Sequence, residues 1–262
     1  MIISIVNQKG GVGKTTTAVN LGAGLAKAGY PTLLVDMDPQ GNASSGVGVP
    51  DEKRVPGIYE VLRGEASVSD VIQPTSQDNY NIIPATPDLA GSTVELMASD
   101  NREFKLRDIL QPLQEHYSYI IIDGPPSLGL LTMNTLVASE RVLIPVQCEY
   151  YALEGLGQLL QTIALVKENL HPNLEVLGAV LTLFDRRVKV AHDVVKEVRE
   201  NFPGHVFETV IPRNIRLAEA PSYGRSIFEY DETSQGAQTY QQLATEIHNY
   251  VSQIINQQIQ QT

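Results

Sequence analysis

Two lysines, a threonine and three aspartates carry most of the chemistry open to this 262-residue sequence. Lys9, Lys14 and Thr15 belong to the run Lys9-Gly10-Gly11-Val12-Gly13-Lys14-Thr15-Thr16. Glycines there let backbone N–H groups turn inward around an anion, and a helix that starts at the end of the run adds the partial positive charge of its N-terminus. In such a loop the Lys14 ammonium reaches the β- and γ-phosphates of a nucleotide and the Thr15 hydroxyl binds Mg²⁺. The usual pattern, G-x-x-x-x-G-K-[ST], asks for glycine at position 8; this chain has Gln8 there and a second lysine, Lys9, beside it. A glycine-rich turn with two solvated lysines is the alternative reading.

The aspartates are placed by the apolar runs before them. Residues 32–36 and 119–123 each read as a buried strand ending in a carboxylate, Asp36 and Asp123, and Asp38 follows two positions after the first. In open α/β sheets ligands bind outside the carboxyl ends of the strands, so all three acids are expected to converge on the phosphates. Asp123, after Ile120-Ile121-Ile122, has the form of a Walker B acid that holds Mg²⁺ through water; the alternative is a cap or turn aspartate before Gly124-Pro125. Asp36 is a further candidate for the metal. Asp38 is the candidate for holding the attacking water. A carboxylate of ordinary pKa, roughly 4, is a weak base, but phosphoryl transfer needs positioning more than deprotonation. Capping of a turn is the alternative role for Asp38.

The elements that must position these groups alternate. Residues 2–6 read as a strand before the loop, and 17–28 as a helix stopped by Gly29. After the strand at 32–36, residues 39–56 are rich in Gly, Asn and Ser without a period, and read as loop. Short helices are expected at 58–62 and 68–72, a strand at 80–84, helices around 88–97 and 101–115, then the strand at 119–123. Pro125-Pro126 breaks the chain before a helix at 128–138. Strands at 141–146, 174–183 and 205–210 enclose helices at 153–169 and 188–201, and a long helix at 235–258 closes the chain, frayed at its Gln-rich end. Wholly apolar strands alternating with helices predict one doubly wound, mostly parallel sheet covered on both faces. With no repeat and no linker, residues 1–262 are expected to form one domain.

Three segments together carry a resemblance: the glycine run, Val35-Asp36-Met37-Asp38-Pro39-Gln40-Gly41-Asn42, and Ile122-Asp123-Gly124-Pro125-Pro126-Ser127. The chain resembles the ParA/Soj chromosome- or plasmid-partition ATPases of the deviant Walker A class of P-loop proteins. The likeness continues through residues 145–155 and reappears at 211–221, so it covers nearly the whole chain, and these two segments are the ones specific to the partition branch. It implies that Lys9 is the signature lysine, which crosses an ATP-sandwich homodimer to the partner's nucleotide. A lysine at the loop rim can neutralise charge developing during hydrolysis, as an arginine finger does elsewhere. Gly10 would then stay small to let the partner approach. The likeness also gives Asp38 the water-positioning role and puts Pro212 and Arg213 where the family closes over adenine, and it implies slow ATP hydrolysis stimulated by a ParB-type centromere-binding partner.

ATP-bound dimers of that family bind double-stranded DNA without sequence preference, and the likeness maps this role onto Arg187 and Arg216. Arg186-Arg187-Val188-Lys189 is the densest basic stretch, with Arg213, Arg216 and Arg225 later. The net charge of −11, from 30 acidic against 19 basic side chains, argues by itself against a nucleic-acid binder. A local patch can differ in sign from the sum, and a dimer would pair two weak patches. A solvated helix start is the alternative for the basic stretch. Met1 opening directly into the first strand leaves no room for an added N-terminal DNA-binding domain, so operator-specific repression is not expected.

Composition limits the rest. No apolar run approaches the 18 residues or so of a membrane span, no signal peptide opens the chain, and Cys148 is the only cysteine. The protein is expected in the cytoplasm, associated with the nucleoid. His116, His171, His192, His205 and His248 are scattered without ligand spacing. A MinD-like spatial regulator is the nearest rival; it binds membrane through a C-terminal amphipathic helix with basic residues on its polar face. Residues 250–262 instead carry Val251, Ile254, Ile255 and Ile259 among glutamines, which read as core contacts of the last helix. An iron-protein type of electron carrier needs cluster cysteines, and Cys148 reads as a buried thiol. A nucleotide-gated module without turnover is a third rival, which the motifs do not exclude because slow turnover and none look alike in them; intact Lys14, Asp38 and Asp123 weigh against it.

Overall fold

Apolar, β-branched runs build the centre of the molecule, an eight-stranded sheet. The computed structural model describes residues 1–96, 99–149 and 155–260. In chain order the elements are β1 (Ile2–Ile5), α1 (Lys14–Lys27), β2 (Thr32–Asp36), α2 (Asn42–Gly46), α3 (Ile58–Arg63), α4 (Val68–Val71), β3 (Gln73–Pro74) and β4 (Tyr80–Ile83). Then come α5 (Leu89–Leu96), α6 (Lys105–Leu110), β5 (Tyr119–Asp123), α7 (Leu130–Ala138), β6 (Arg141–Gln147) and α8 (Leu156–Asn169). The last are β7 (Glu175–Phe184), α9 (Lys189–Asn201), β8 (Val206–Pro212), α10 (Ile215–Glu219), α11 (Ile227–Tyr230) and α12 (Gln235–Gln260).

The strand order is β3-β4-β2-β5-β1-β6-β7-β8. All neighbours pair in parallel except β3, which runs antiparallel along the edge of β4. From β1 the chain winds to one side through β2 and to the other through β6, so the loop after β1 opens at the point where the winding reverses. The register sets Ile5 and Asp36 level with Asp123 on β5. This puts both strand-end carboxylates beside the loop at the same edge.

Alternation inside the apolar runs divides them between two layers. Ile3, Ile5, Leu34 and Ile121 pack beneath α1 and α12. Ile2, Leu33, Val35, Ile120 and Ile122 pack against α3, α5, α6 and α7 on the other face, where α8 and α9 cover β6 and β7. The small residues of α1 allow close approach. A Cβ at Gly22 would fall 2.5 Å from Tyr80 Oη, and one at Gly24 would fall 3.0 Å from Ala244 Cβ on α12. Tyr80, buried under α1, donates to Val19 O at 3.0 Å.

Several elements differ from the sequence reading. Residues 39–56 hold α2 and a 3-10 turn, Asp51–Lys53, instead of plain loop. The reason is tertiary: the Asp36 carboxylate accepts from Ser44 N and Ser44 Oγ, a cap that local sequence does not reveal. The helix expected at 101–115 begins at Lys105 and tightens into a 3-10 turn, Gln111–Glu115, at Pro112. Residues 213–234, for which no element is expected, form α10, a 3-10 turn at Ala220–Tyr223, and α11. Of the apolar residues near the C-terminus, Val251 is buried and Ile254 packs against the core, whereas Ile255 is 40% exposed. Ile259 lies in a stretch whose side chains are outside the described set, as do the expected helix end at Met97 and helix start at Leu153. Cys148 is buried, and burial pushes its thiol pKa up to about 12.

Candidate active site

Residues 7–13 are held by partners far away in sequence. Asn7 Nδ2 donates to Pro145 O at 2.7 Å while its Oδ1 accepts from Lys9 N at 3.0 Å, fixing the entry of the loop to β6. Thr182 Oγ1, from β7, donates to Val12 O at 2.8 Å. Gly11 and Gly13 take φ of 75° and 86°, the left-handed region that glycine adopts without the Cβ penalty. Gly13 caps α1, and its carbonyl accepts from Thr17 N at 2.9 Å. Gly10 differs: its φ is not left-handed, and a Cβ there would meet nothing within 4 Å. The first turn of α1 contains Lys14, Thr15 and Thr16, so the helix begins three residues earlier than its apolar pattern suggests.

Lys14 is buried and donates from Nζ to Lys9 O at 3.1 Å. Burial lowers its pKa, and the charges of Asp123 and Asp38 offset part of that shift. Asp123 is fully buried, and neither of its carboxylate oxygens has a hydrogen-bond partner. Burial raises its pKa well above the usual carboxylate value, and the neighbouring Asp36 raises it further. Thr15 and Lys14 lie close enough to favour its charged form in part. A buried carboxylate without donors is costly unless a cation or proton is supplied.

Asp36 and Asp38 have other partners. The oxygens of Asp36 accept from Asp38 N at 3.2 Å, Ser44 N at 2.8 Å and Ser44 Oγ at 2.7 Å. Burial raises its pKa to about 6 against these bonds. The candidate metal ligand Asp36 is thus taken up in holding α2. Asp38 Oδ1 accepts from Gln40 N at 3.0 Å, so the turn-capping role is present, and its charge still reaches Lys14 and Asp123. Arg54, buried and inconspicuous in sequence, fastens the far side of the same segment. Its Nη2 donates to Ser45 Oγ at 2.8 Å and to Val49 O at 2.9 Å. Among the described residues, no three His, Cys, Asp or Glu side chains form a metal cluster.

Beside the loop lies a cavity of about 180 Å³, whose wall includes Gly13, Thr16, Pro212, Arg213 and Leu217. Pro212 and Arg213 therefore do share a pocket with the phosphate loop, on the side of β7 and β8. The basic residues are less free than their clustering suggests. Arg187, 82% exposed, makes a two-pronged ion pair with Asp185, and Arg216 pairs with Glu219 and Asp231. Arg213 pairs with Glu149. Arg187 and Arg213 border one groove with Ile215. Asn7, Thr182, Ser44 and Arg54 are the site-forming residues that sequence reasoning missed; Asn7 and Thr182 act on partners that only the fold brings near, and Ser44 and Arg54 act at the end of β2 and in the segment after it.

A glycine loop between β1 and α1, a lysine and threonine opening the helix, and strand-end aspartates at a switch point of a parallel sheet define a P-loop nucleotide-binding protein. A family model described as an AAA domain matches residues 1–176. The chain is 56% identical to the chromosome partitioning protein ParA of Myxococcus xanthus over 94% of its length and 87% of that protein's. It is 52% identical to the sporulation initiation inhibitor protein Soj of Bacillus subtilis over 94% of its length and 97% of that protein's. Among solved structures it is similar to cobyrinic acid a,c-diamide synthase from Mycobacterium smegmatis with bound ADP and magnesium. That likeness has a TM-score of 0.85 and 35% identity over 96% of this chain and 95% of the other. The chain belongs to the ParA/Soj family of chromosome-partitioning ATPases.

Proposed function

We propose that this protein is a DNA-partition ATPase that uses ATP and Mg²⁺, dimerises around ATP, binds DNA in that state and lets go after hydrolysis. The observation that carries the reading is Asp123: a fully buried carboxylate with both oxygens unpartnered, facing the first turn of α1 next to Lys14. That donor set fits Mg²⁺, a hard cation that prefers oxygen and keeps several waters of its own. With no protein cage of three acidic or His/Cys ligands among the described residues, the remaining oxygens would come from phosphate and water. Bound Mg²⁺ supplies charge neutralisation of the phosphates; the residues supply the rest. Thr15 and Asp123 hold the cation, the Gly10–Gly13 backbone and Lys14 cradle the β- and γ-phosphates, and Asp38 holds a water in line. Pro212 and Arg213 close over the base. Lys9 serves the partner's nucleotide, which accounts for Gly10: no constraint within the chain requires glycine there, and close approach of a second copy would.

The DNA face is assigned to Arg187 and Arg216. Both arginines are exposed, as is Glu219, while Asp185 and Asp231 are half-buried; ion pairs with one side in solvent contribute little, so exchange for phosphates is not opposed strongly. Stimulation by a ParB-type partner and association with the nucleoid complete the reading. No helix among the described residues is long and apolar enough to cross a membrane.

ATP turnover and size in solution test this together. The wild type should hydrolyse ATP only with Mg²⁺ and shift from monomer to dimer with ATP. Asp38→Ala should keep nucleotide binding, lose turnover about a hundredfold, as misplacing a reacting water does, and accumulate as dimer. Turnover in Lys14→Ala equal to the wild type would refute the assignment.

A further inference from the structure

Leu183 is one of three residues other than glycine with positive φ among the described residues, at 54°, and the only aliphatic one. An L side chain in the left-handed region crowds its own carbonyl, and a branched aliphatic residue has none of the local hydrogen bonding that lets Asn tolerate it. Glycine would fit this position without strain, yet leucine occupies it. The surrounding chain enforces the conformation from both sides. Thr182 is anchored to the phosphate loop through its hydroxyl on Val12 O at 2.8 Å, and its carbonyl accepts from Cys148 N at 3.0 Å. Phe184 is anchored to β8 by Arg213 N donating to its carbonyl at 2.9 Å. The β7–β8 register shifts between these two anchors, where Leu183 lies. Strain so over-determined clusters at binding sites, where it serves pre-organisation.

What Leu183 faces is the cavity beside the loop, where it joins Thr16, Ile211, Pro212, Leu217 and Tyr240 in the wall. We infer that Leu183 is a specificity-determining residue: the strained position near the end of β7 holds an apolar wall against one face of the nucleotide's flat heteroaromatic base, opposite Pro212. This rests on the proposed ATP site and adds a division of labour within it. The loop and Lys14 bind phosphate, while Leu183 makes affinity depend on the base. Removing a small apolar group from the wall of a pocket changes affinity by about tenfold or more.

The test is Mg²⁺-dependent binding of ATP and of inorganic triphosphate to wild type, Leu183→Gly and Leu183→Asn, with a melting curve for each. Leu183→Gly frees the backbone and removes the wall; Leu183→Asn keeps a residue at ease in the left-handed region but without the apolar surface, and carries the test should the glycine variant not fold. Both should lose about tenfold in ATP affinity with triphosphate affinity unchanged, so that the preference for ATP over triphosphate shrinks. Wild-type ATP affinity in either variant overturns the inference, and a parallel fall for triphosphate does so as well, because it would trace the effect to the loop through Thr182. A wild type that binds neither ligand overturns the ATP reading and this inference with it.

Discussion

Asp36 and Asp123 stand level on adjacent strands, both fully buried, and the charge of Asp36 raises the proton affinity of Asp123. The consequence for stability has a definite sign. Asp36 has a folded pKa of about 6 against an ordinary 3.8. Between those values the folded protein keeps a proton that the unfolded chain has lost, so the contribution of Asp36 to stability declines as pH rises through that window and is level above it. Denaturant titrations of the Mg²⁺- and nucleotide-free protein should show the wild type losing stability relative to Asp36→Asn from about pH 4 to 6. A difference independent of pH would contradict the burial-driven shift. Arg54 makes a second residue-scale prediction. Its guanidinium satisfies Val49 O and Ser45 Oγ inside the fold, whereas its ion-pair partner Asp51 is 90% exposed. Arg54→Ala should cost about 2–3 kcal/mol in unfolding free energy, the range for charged hydrogen bonds left unmade, and Asp51→Ala should be close to neutral. Such residues mark the limit of what was legible. Lys14, Thr15, Asp38 and Asp123 announce themselves by spacing from strand ends, but Arg54 is one arginine in a polar stretch. Thr182 meets Val12 across 170 positions, with no pattern joining them.

Elements were legible where the apolar run was long. The strands at 32–36 and 119–123 follow from composition alone, because wholly buried strands cannot alternate polar with apolar residues, and the amphipathic helix expected at 153–169 is present over Leu156–Asn169 among the described residues. α2 escaped because its cap comes from Asp36, six residues before its first residue, and α10 and α11 because each is one turn or little more, too short for a period to appear. The loop itself yields a paired prediction. Gly13 is left-handed and caps α1, while Gly10 is in open space. Gly13→Ala should lower unfolding free energy by about 1–2 kcal/mol, the left-handed penalty. Gly10→Ala should leave the monomer within about 0.5 kcal/mol, with its damage confined to ATP-induced dimerisation. Thermal melts and sizing with ATP read the two effects separately. A comparable melt for both variants would mean that the loop glycines do not differ in kind. At the α1–β4 contact, Gly22→Ala should cost about 1–3 kcal/mol, because its Cβ would meet Tyr80 Oη at 2.5 Å.

Across the whole molecule, charge is the property that sequence reading handles worst. The sum of −11 points away from DNA, and Arg187, Arg213 and Arg216, three of the basic residues that point toward it, are tied to acids. Which arginines share a face is decided by topology: β7 and β8 are neighbours at one end of the sheet, so the turn after β7, with Arg187, and α10 after β8, with Arg216, emerge on the same edge. Only a dimer would double that face, which is why nucleotide state should govern DNA affinity through avidity. The most direct measurement is DNA binding by the wild type and by Arg187→Ala plus Arg216→Ala, with ATP, with ADP and without nucleotide, at stepped salt. Binding should require ATP, weaken steeply with salt whatever the DNA sequence, and be lost in the double variant, with the salt slope reduced by about 1 for each arginine removed. Wild-type binding that is absent in every nucleotide state, or equal in all three, would contradict the partition reading.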